Sequence, residues 1–209
     1  MYILYYSPGT ASMVVHQTLL EIGAPFRLEL VDFAARAQDD PAYRALNWDG
    51  VVPTLIIEGQ AFVESAALIM ILAQRHPEAG LAPAPGTAAH AAWTQWIVYL
   101  SNSLAATYRF WFYPQDLGAL EHPPAVREAL QRRIEGVWDR LEAHLSSAGP
   151  YLLGREFSAA DLLLTMLMRW SRNMPRPATA WPTLLAYANV ARSRPSWKAL
   201  CAAEGLSGW

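Results

Sequence analysis

The chain has 209 residues, 53% of them apolar and 16% charged, which is enough for one large domain or two modest ones with real hydrophobic cores. A formal net charge of -2, carried by fifteen arginines, one lysine (Lys198) and eighteen acids, gives no reason to expect a nucleic-acid binder. Cys201 is the only cysteine, which excludes a disulfide framework and a cysteine-rich metal site; a reducing compartment fits best.

At the N-terminus, MYILYYS has neither a basic n-region nor a small-residue cleavage site. The longest apolar run, Ala66 to Ala73, is too short to span a bilayer, so a cytoplasmic protein without membrane attachment is expected. Tyr2 to Tyr6 reads as a buried strand, ended by the turn Ser7-Pro8-Gly9. From Ser12, apolar Val15, Leu19, Leu20 and Ile22 recur at helical spacing, and Gly23 and Pro25 stop that helix. His16 falls inside this apolar helix and reads as a structural histidine. Phe26 to Val31 alternates as a second strand. Residues 34–50 are irregular, with at most a short helical turn, and Val51 to Ile57 reads as a third strand. Glu58-Gly59 suits a hairpin into a fourth strand, Gln60 to Val63, and a helix over 65–75 closes the unit.

Beyond a Pro- and Gly-rich stretch everything reads as helical. Trp93, Trp96, Ile97, Leu100, Leu104 and Tyr108 share one face of a long helix, and Val126, Leu130, Ile134, Val137, Leu141 and Leu145 share a face of the next. In FSAAD, Ser158 is placed to cap a helix and Asp161 to return a bond to the cap; the run Leu162 to Trp170, apolar on all sides, belongs at the centre. Pro182 to Val190 adds a further helix, ended by Arg194-Pro195. Charge divides in the same way, four arginines against nine acids up to residue 80 and twelve basic residues against nine acids beyond it. The domains are therefore read as 1–77, an α/β unit with a mixed four-stranded sheet; 78–88, a linker; and 89–209, all-helical.

Pro53 lies inside the third predicted strand, where a proline is tolerated only if no ladder N–H is needed. A cis Val52-Pro53 bond would turn the main chain of Val52 outward, free to pair with an extended peptide ligand. Glu64 and Ser65 open the next helix, where free N–H groups, the positive dipole end and a hydroxyl favour a carboxylate, and Glu64 can hold an ammonium. An α-amino acid joined to a short peptide meets those demands, as in the γ-glutamyl end of glutathione. The ordinary alternatives stay open: Ser65 as a helix-start residue and Glu64 as a solvated one.

Val52-Pro53-Thr54-Leu55 followed by Glu64-Ser65, the stretch GREFSAAD (154–161) and the ending PTLLAYANVARSRP (182–195) together resemble the cytosolic glutathione S-transferases over nearly the whole chain. The resemblance implies a thioredoxin-like first domain, a helical second domain, a homodimer, and glutathione as co-substrate with no metal. It also implies that Val52 and Pro53 meet the cysteinyl backbone of glutathione while Glu64 and Ser65 hold its γ-glutamyl group.

The reaction needs a thiolate, and a free thiol has a pKa of about 8.5, so the protein must favour the ionised sulfur. The turn YYSPGTASMVVH is most similar to the bacterial beta class, whose pattern has a cysteine at Ala11 and a histidine at Ala105; both are absent. Thr10 and Ser12 remain as hydroxyl donors, with turn residue and helix cap as their ordinary readings. ATYRFWFYP (106–114) crowds five aromatics into nine residues, from which Tyr108, Arg109, Trp111 and Phe112 are candidates for a hydrophobic substrate pocket. The implied activity is conjugation of glutathione to a small hydrophobic electrophile. Glutathione-dependent isomerisation, disulfide reduction, or non-catalytic binding of a ligand or protein partner are the alternatives.

Overall fold

The computed structural model describes residues 1–209. In chain order the elements are β1 (Tyr2–Tyr6), α1 (Met13–Ile22), β2 (Phe26–Leu30), α2 (Pro41–Arg44), β3 (Thr54–Ile57), β4 (Gln60–Val63) and α3 (Ser65–Arg75). Then follow α4 (Ala88–Tyr99), a π-helical segment (Leu100–Ala105), α5 (Ala106–Phe112), α6 (Pro124–Ala148), α7 (Ala159–Trp170), α8 (Pro182–Ser193) and α9 (Pro195–Glu204). They form two compact units, Met1–Ala82 with Arg192–Trp209, and Pro83–Ala191. No helix is long and apolar enough to cross a membrane.

In the first unit the sheet order is β2-β1-β3-β4; β1 and β2 are parallel, and β3 is antiparallel to both β1 and β4. This is the mixed four-stranded sheet that the sequence implies. A parallel β1/β2 pair needs a crossover, and α1 supplies it. Its residues Met13–Leu19 are all buried, and Leu68, Ile69, Leu72 and Ala73 of α3 are buried with them, around Leu4 and Leu55 of the sheet. Covering the apolar face of the sheet in this way is the main source of stability, about 1.5–3 kcal/mol for each fully buried Leu or Ile side chain.

Two differences from the sequence reading bear on the site. β3 begins at Thr54 and not at Val51, because the carbonyl of Val51 is taken by side chains, the Tyr43 hydroxyl at 2.6 Å and the Asn47 amide at 2.7 Å. A carbonyl held by side chains is not paired in the ladder, so the strand starts later. The second difference is at the C-terminus. Residues 192–209, read as the end of the helical domain, belong with the first unit. The cause is polar: Arg194 holds Glu21 of α1 through two bonds of 2.7 Å, Ser196 donates to the same carboxylate, and Gln17 donates to Ser196 at 3.2 Å. Burial alone would raise the Glu21 pKa, but the bonds from Arg194 and Ser196 outweigh it and leave the carboxyl below its ordinary range.

The second unit is all-helical. α7 is its centre, with every residue from Ala159 to Arg169 buried, as expected of a helix apolar on all sides. Asp161 accepts the Ser158 N–H at 2.9 Å and the Ser158 side chain accepts from the Asp161 main chain, the reciprocal capping box that the sequence predicts, while the Ser158 hydroxyl also donates to the Asp161 carboxylate at 3.0 Å. The long helix expected from Trp93 to Tyr108 keeps its buried face, Trp93, Ile97, Leu100, Leu104 and Tyr108, yet Leu100–Ala105 winds as a π-helix. Such a segment takes in an extra residue and changes the register of side chains beyond it. Ala105 and the polar residues Asn102 and Ser103 lie in this segment.

Candidate functional site

The topology brings three separated segments to one end of the first unit's sheet. Tyr5 at the exit of β1 is paired with Thr54 at the entry of β3, and Thr54 with Val63 at the exit of β4. The turn Ser7–Ser12, the Val52-Pro53 bond and the pair Glu64-Ser65 are therefore neighbours, and the Ser65 hydroxyl donates to the carbonyl of Ala11 at 2.9 Å, joining the start of α3 to the turn.

Within the turn the hydroxyls are largely committed. Thr10 Oγ1 donates to the Ser7 carbonyl at 2.7 Å, Ser12 Oγ reaches the same carbonyl at 3.1 Å, and the two hydroxyls lie 3.0 Å apart. Ser12 Oγ also accepts the Ser7 N–H at 3.2 Å. Ser12 is fully buried, so it braces the strand exit against the helix entry and is not presented to a ligand; neither does it cap α1, whose start has no side-chain cap. Thr10 is only partly buried. If it rotates toward a ligand, Ser12 still satisfies the Ser7 carbonyl.

The Val52-Pro53 bond is cis. Tyr43, Asn47 and Thr54 hold the preceding residue: Tyr43 Oη and Asn47 Nδ2 both donate to the Val51 carbonyl, and each lies within 3.1 Å of Thr54 Oγ1. Burial pushes the Tyr43 phenol up, so it stays a neutral donor. Val52's own N–H and C=O make no bond within the chain. They are left for an extended partner, as in strand addition. Sequence reading missed Tyr43, Asn47 and Thr54; the signal was Asn47 three residues before Gly50, where the Asp49 N–H donates to Asn47 Oδ1 at 3.2 Å as an Asx turn.

Glu64 has φ 74 and ψ 106, a conformation that costs a non-glycine residue about 1–3 kcal/mol and tends to persist at ligand sites. Its side chain is exposed. The first backbone bond onto the start of α3 is Leu68 N–H to Glu64 C=O at 2.9 Å, so the amides of Ser65, Ala66 and Ala67 have no acceptor in the helix. An eleven-residue helix with open amides, a hydroxyl and a carboxylate at its start suits a zwitterionic amino-acid end group.

In the second unit the aromatic stretch divides differently from the expectation. Tyr108 is fully buried, stacked on Phe112 at 5.6 Å and edge-on to Trp170 at 5.9 Å, and burial pushes its phenol above the ordinary range. Trp111 is also buried, with the Arg127 guanidinium 4.4 Å from its ring centre. These two serve the core because Tyr108 continues the buried face of α4. Arg109 is ion-paired with Asp116 and lies over Tyr113 at 4.2 Å, so its charge is already neutralised. Phe112, with Phe110 and Tyr113, is the part left exposed.

Comparison with known proteins identifies the family of both units. Residues 4–80 match the family model for the glutathione S-transferase N-terminal domain and residues 124–192 that for the C-terminal domain. A glutathione S-transferase of Escherichia coli O157:H7, GstA, is 27% identical over 205 residues, covering 97% of this chain and 98% of that protein. The crystal structure of a glutathione transferase from Methylococcus capsulatus strain Bath superimposes with a TM-score of 0.89 at 30% identity, covering 99% of this chain and 100% of that one. A glutathione transferase homologue from Sulfitobacter, solved with bound glutathione, gives 0.86 at 27% identity, covering 99% of each chain. With both of its parts matched in order, the chain belongs to the glutathione S-transferase family of enzymes.

Proposed function

We propose that this protein binds glutathione at the end of the first unit's sheet and joins its thiolate to a small hydrophobic electrophile. One observation carries the reading: three segments far apart in sequence bring uncommitted main-chain donors to one place, and the Ser65–Ala11 bond ties two of them together. Val52 pairs with the cysteinyl backbone beside Pro53, the amides opening α3 and the Ser65 hydroxyl take the γ-glutamyl carboxylate, and Glu64 takes its ammonium. The glutathione held by the Sulfitobacter relative supports glutathione as the ligand.

With alanine at position 11, the sulfur must be stabilised by Thr10 and by the main chain of the turn. Thr10 turns its hydroxyl from the Ser7 carbonyl to the sulfur while Ser12 keeps that carbonyl satisfied. The thiolate then attacks the electrophilic carbon, a C–S bond forms, the leaving group departs with its bonding electrons, and the thiol proton passes to solvent. Phe112 is an exposed apolar surface of the second unit, and the active form is a cytoplasmic homodimer. Sedimentation equilibrium is expected to give about twice the chain mass of 23.2 kDa.

Titration calorimetry with glutathione tests the reading. Binding with Kd between about 1 μM and 1 mM is expected, and absence of heat at millimolar glutathione overturns it. Thr10→Ala is expected to lower kcat for an activated aryl halide about tenfold or more, and to move the midpoint of the kcat/KM pH profile up by about one unit. Unchanged kinetics in the variant would remove Thr10 from the mechanism.

A further inference from the structure

Glu204, near the C-terminal end of α9, is the residue outside the three site segments that reaches into the turn. Its side chain is fully buried, and each carboxylate oxygen has its own partner: Oε1 lies 2.8 Å from His16 Nδ1, and Oε2 accepts the Gly9 N–H at 3.0 Å. His16 is itself buried and one turn into α1. The carboxylate thus spans from the middle of the turn to the helix that follows it, across a sequence separation of 195 residues to Gly9. Gly9 has φ 74, a conformation open to glycine at no steric cost, and Pro8 before it offers no N–H. The orientation of the Pro8-Gly9 peptide determines where Thr10 and the Ala11 amide point.

Resting on the glutathione reading above, we propose that Glu204 is the positioning residue of the thiolate-binding turn: by holding Gly9 and His16 together it aims the Thr10 and Ala11 donors at the sulfur. It does not touch the ligand. The Gly9 N–H needs an acceptor, and an ionised carboxylate takes the second bond only from the Nδ1–H tautomer of His16. Glutamine of the same shape keeps one acceptor, so its NH2 faces either the Gly9 N–H or an imidazole switched to its other tautomer, and the Nδ1–H to carboxylate pairing is lost in both cases.

The test is Glu204→Gln, measured for glutathione affinity by calorimetry and for kcat/KM against pH. Expected is a Kd within about threefold of wild type, since Val52, Glu64 and Ser65 are untouched, with kcat down about tenfold or more and the pH midpoint moved upward by about one unit. A purely structural residue would lower Tm and leave the pH midpoint of the folded enzyme where it was; that outcome overturns the proposal. If Glu204→Gln does not fold, Glu204→Asp keeps the charge but is too short to hold both partners, and the same alkaline shift is expected, with an unmoved midpoint counting against the proposal. Hydrogen exchange at Gly9 in the wild-type protein provides a further check: protection below about tenfold contradicts a held amide. Failure of wild type to bind glutathione would overturn the site reading itself, whereas normal wild-type binding with an unmoved variant profile overturns only the role of Glu204.

Discussion

Asp161→Ala is expected to lower the unfolding free energy by about 4 kcal/mol, which moves Tm by roughly 10 °C in a chain of this size. The carboxylate has no exposed surface and accepts the Leu152 N–H at 3.0 Å, the Ser158 N–H at 2.9 Å and the Ser158 hydroxyl at 3.0 Å. The Tyr187 hydroxyl, donating to the Asp161 carbonyl at 2.9 Å, lies within 3.4 Å of the carboxylate as well. Alanine leaves buried donors unpaired at the start of α7, the helix on which the second unit is built. Urea unfolding of the two proteins measures the difference, and a loss below about 1 kcal/mol would show that water or rearrangement satisfies those donors.

The same residue gives a pH dependence with a defined sign. Burial pushes the Asp161 carboxyl up to about 6 from 3.8, and the bonds from Leu152 and Ser158 only partly oppose it. Between those values the folded chain holds a proton that the unfolded chain has released. The stabilising contribution is complete below about pH 4 and is lost as pH rises through 6, about 3 kcal/mol in all. Asp161→Asn removes the titrating group, so its stability is expected to lack this fall between pH 4 and 6.

Ser65→Ala is expected to weaken glutathione binding about tenfold to a hundredfold, a loss of roughly 1.4–2.8 kcal/mol. The hydroxyl has two tasks in the proposed site, donating to the γ-glutamyl carboxylate and tying α3 to the carbonyl of Ala11. Removing it loses a charge-assisted bond and also releases the helix start from the turn. Since Ser65 is only partly buried, folding stability should change little, and Ser65→Thr should restore much of the affinity. Calorimetry that found Ser65→Ala within about twofold of wild type would remove the α3 terminus from the site.

Much of this molecule is determined locally, and that part is legible in the sequence. Periods of two and of 3.6 residues identify the four strands and most of the helices, Glu58-Gly59 fixes the hairpin, and the all-apolar run after Asp161 announces a central helix. Pro53 within a strand-like run and Glu64-Ser65 before a helix mark the segments of the proposed site, because each breaks a local rule, as the structure confirms with a cis bond at Pro53 and a positive φ at Glu64. Periodicity does not report which of several crowded aromatics are buried: Tyr108 and Trp111 enter the core while Phe110 and Phe112 stay outside. Nor does it report that the hydroxyl of Ser12 is spent on Ser7, or that a π-helical segment interrupts an otherwise regular apolar face. Least legible is Glu204, since a carboxylate near the end of a chain looks solvated until α9 packs on α1 and buries it against His16 and Gly9. The sequence by itself determined the elements and the kind of ligand, through properties of a few adjacent residues; the tertiary structure decided which side chains are free to act, because burial and hydrogen-bond commitment depend on partners nearly the whole chain away.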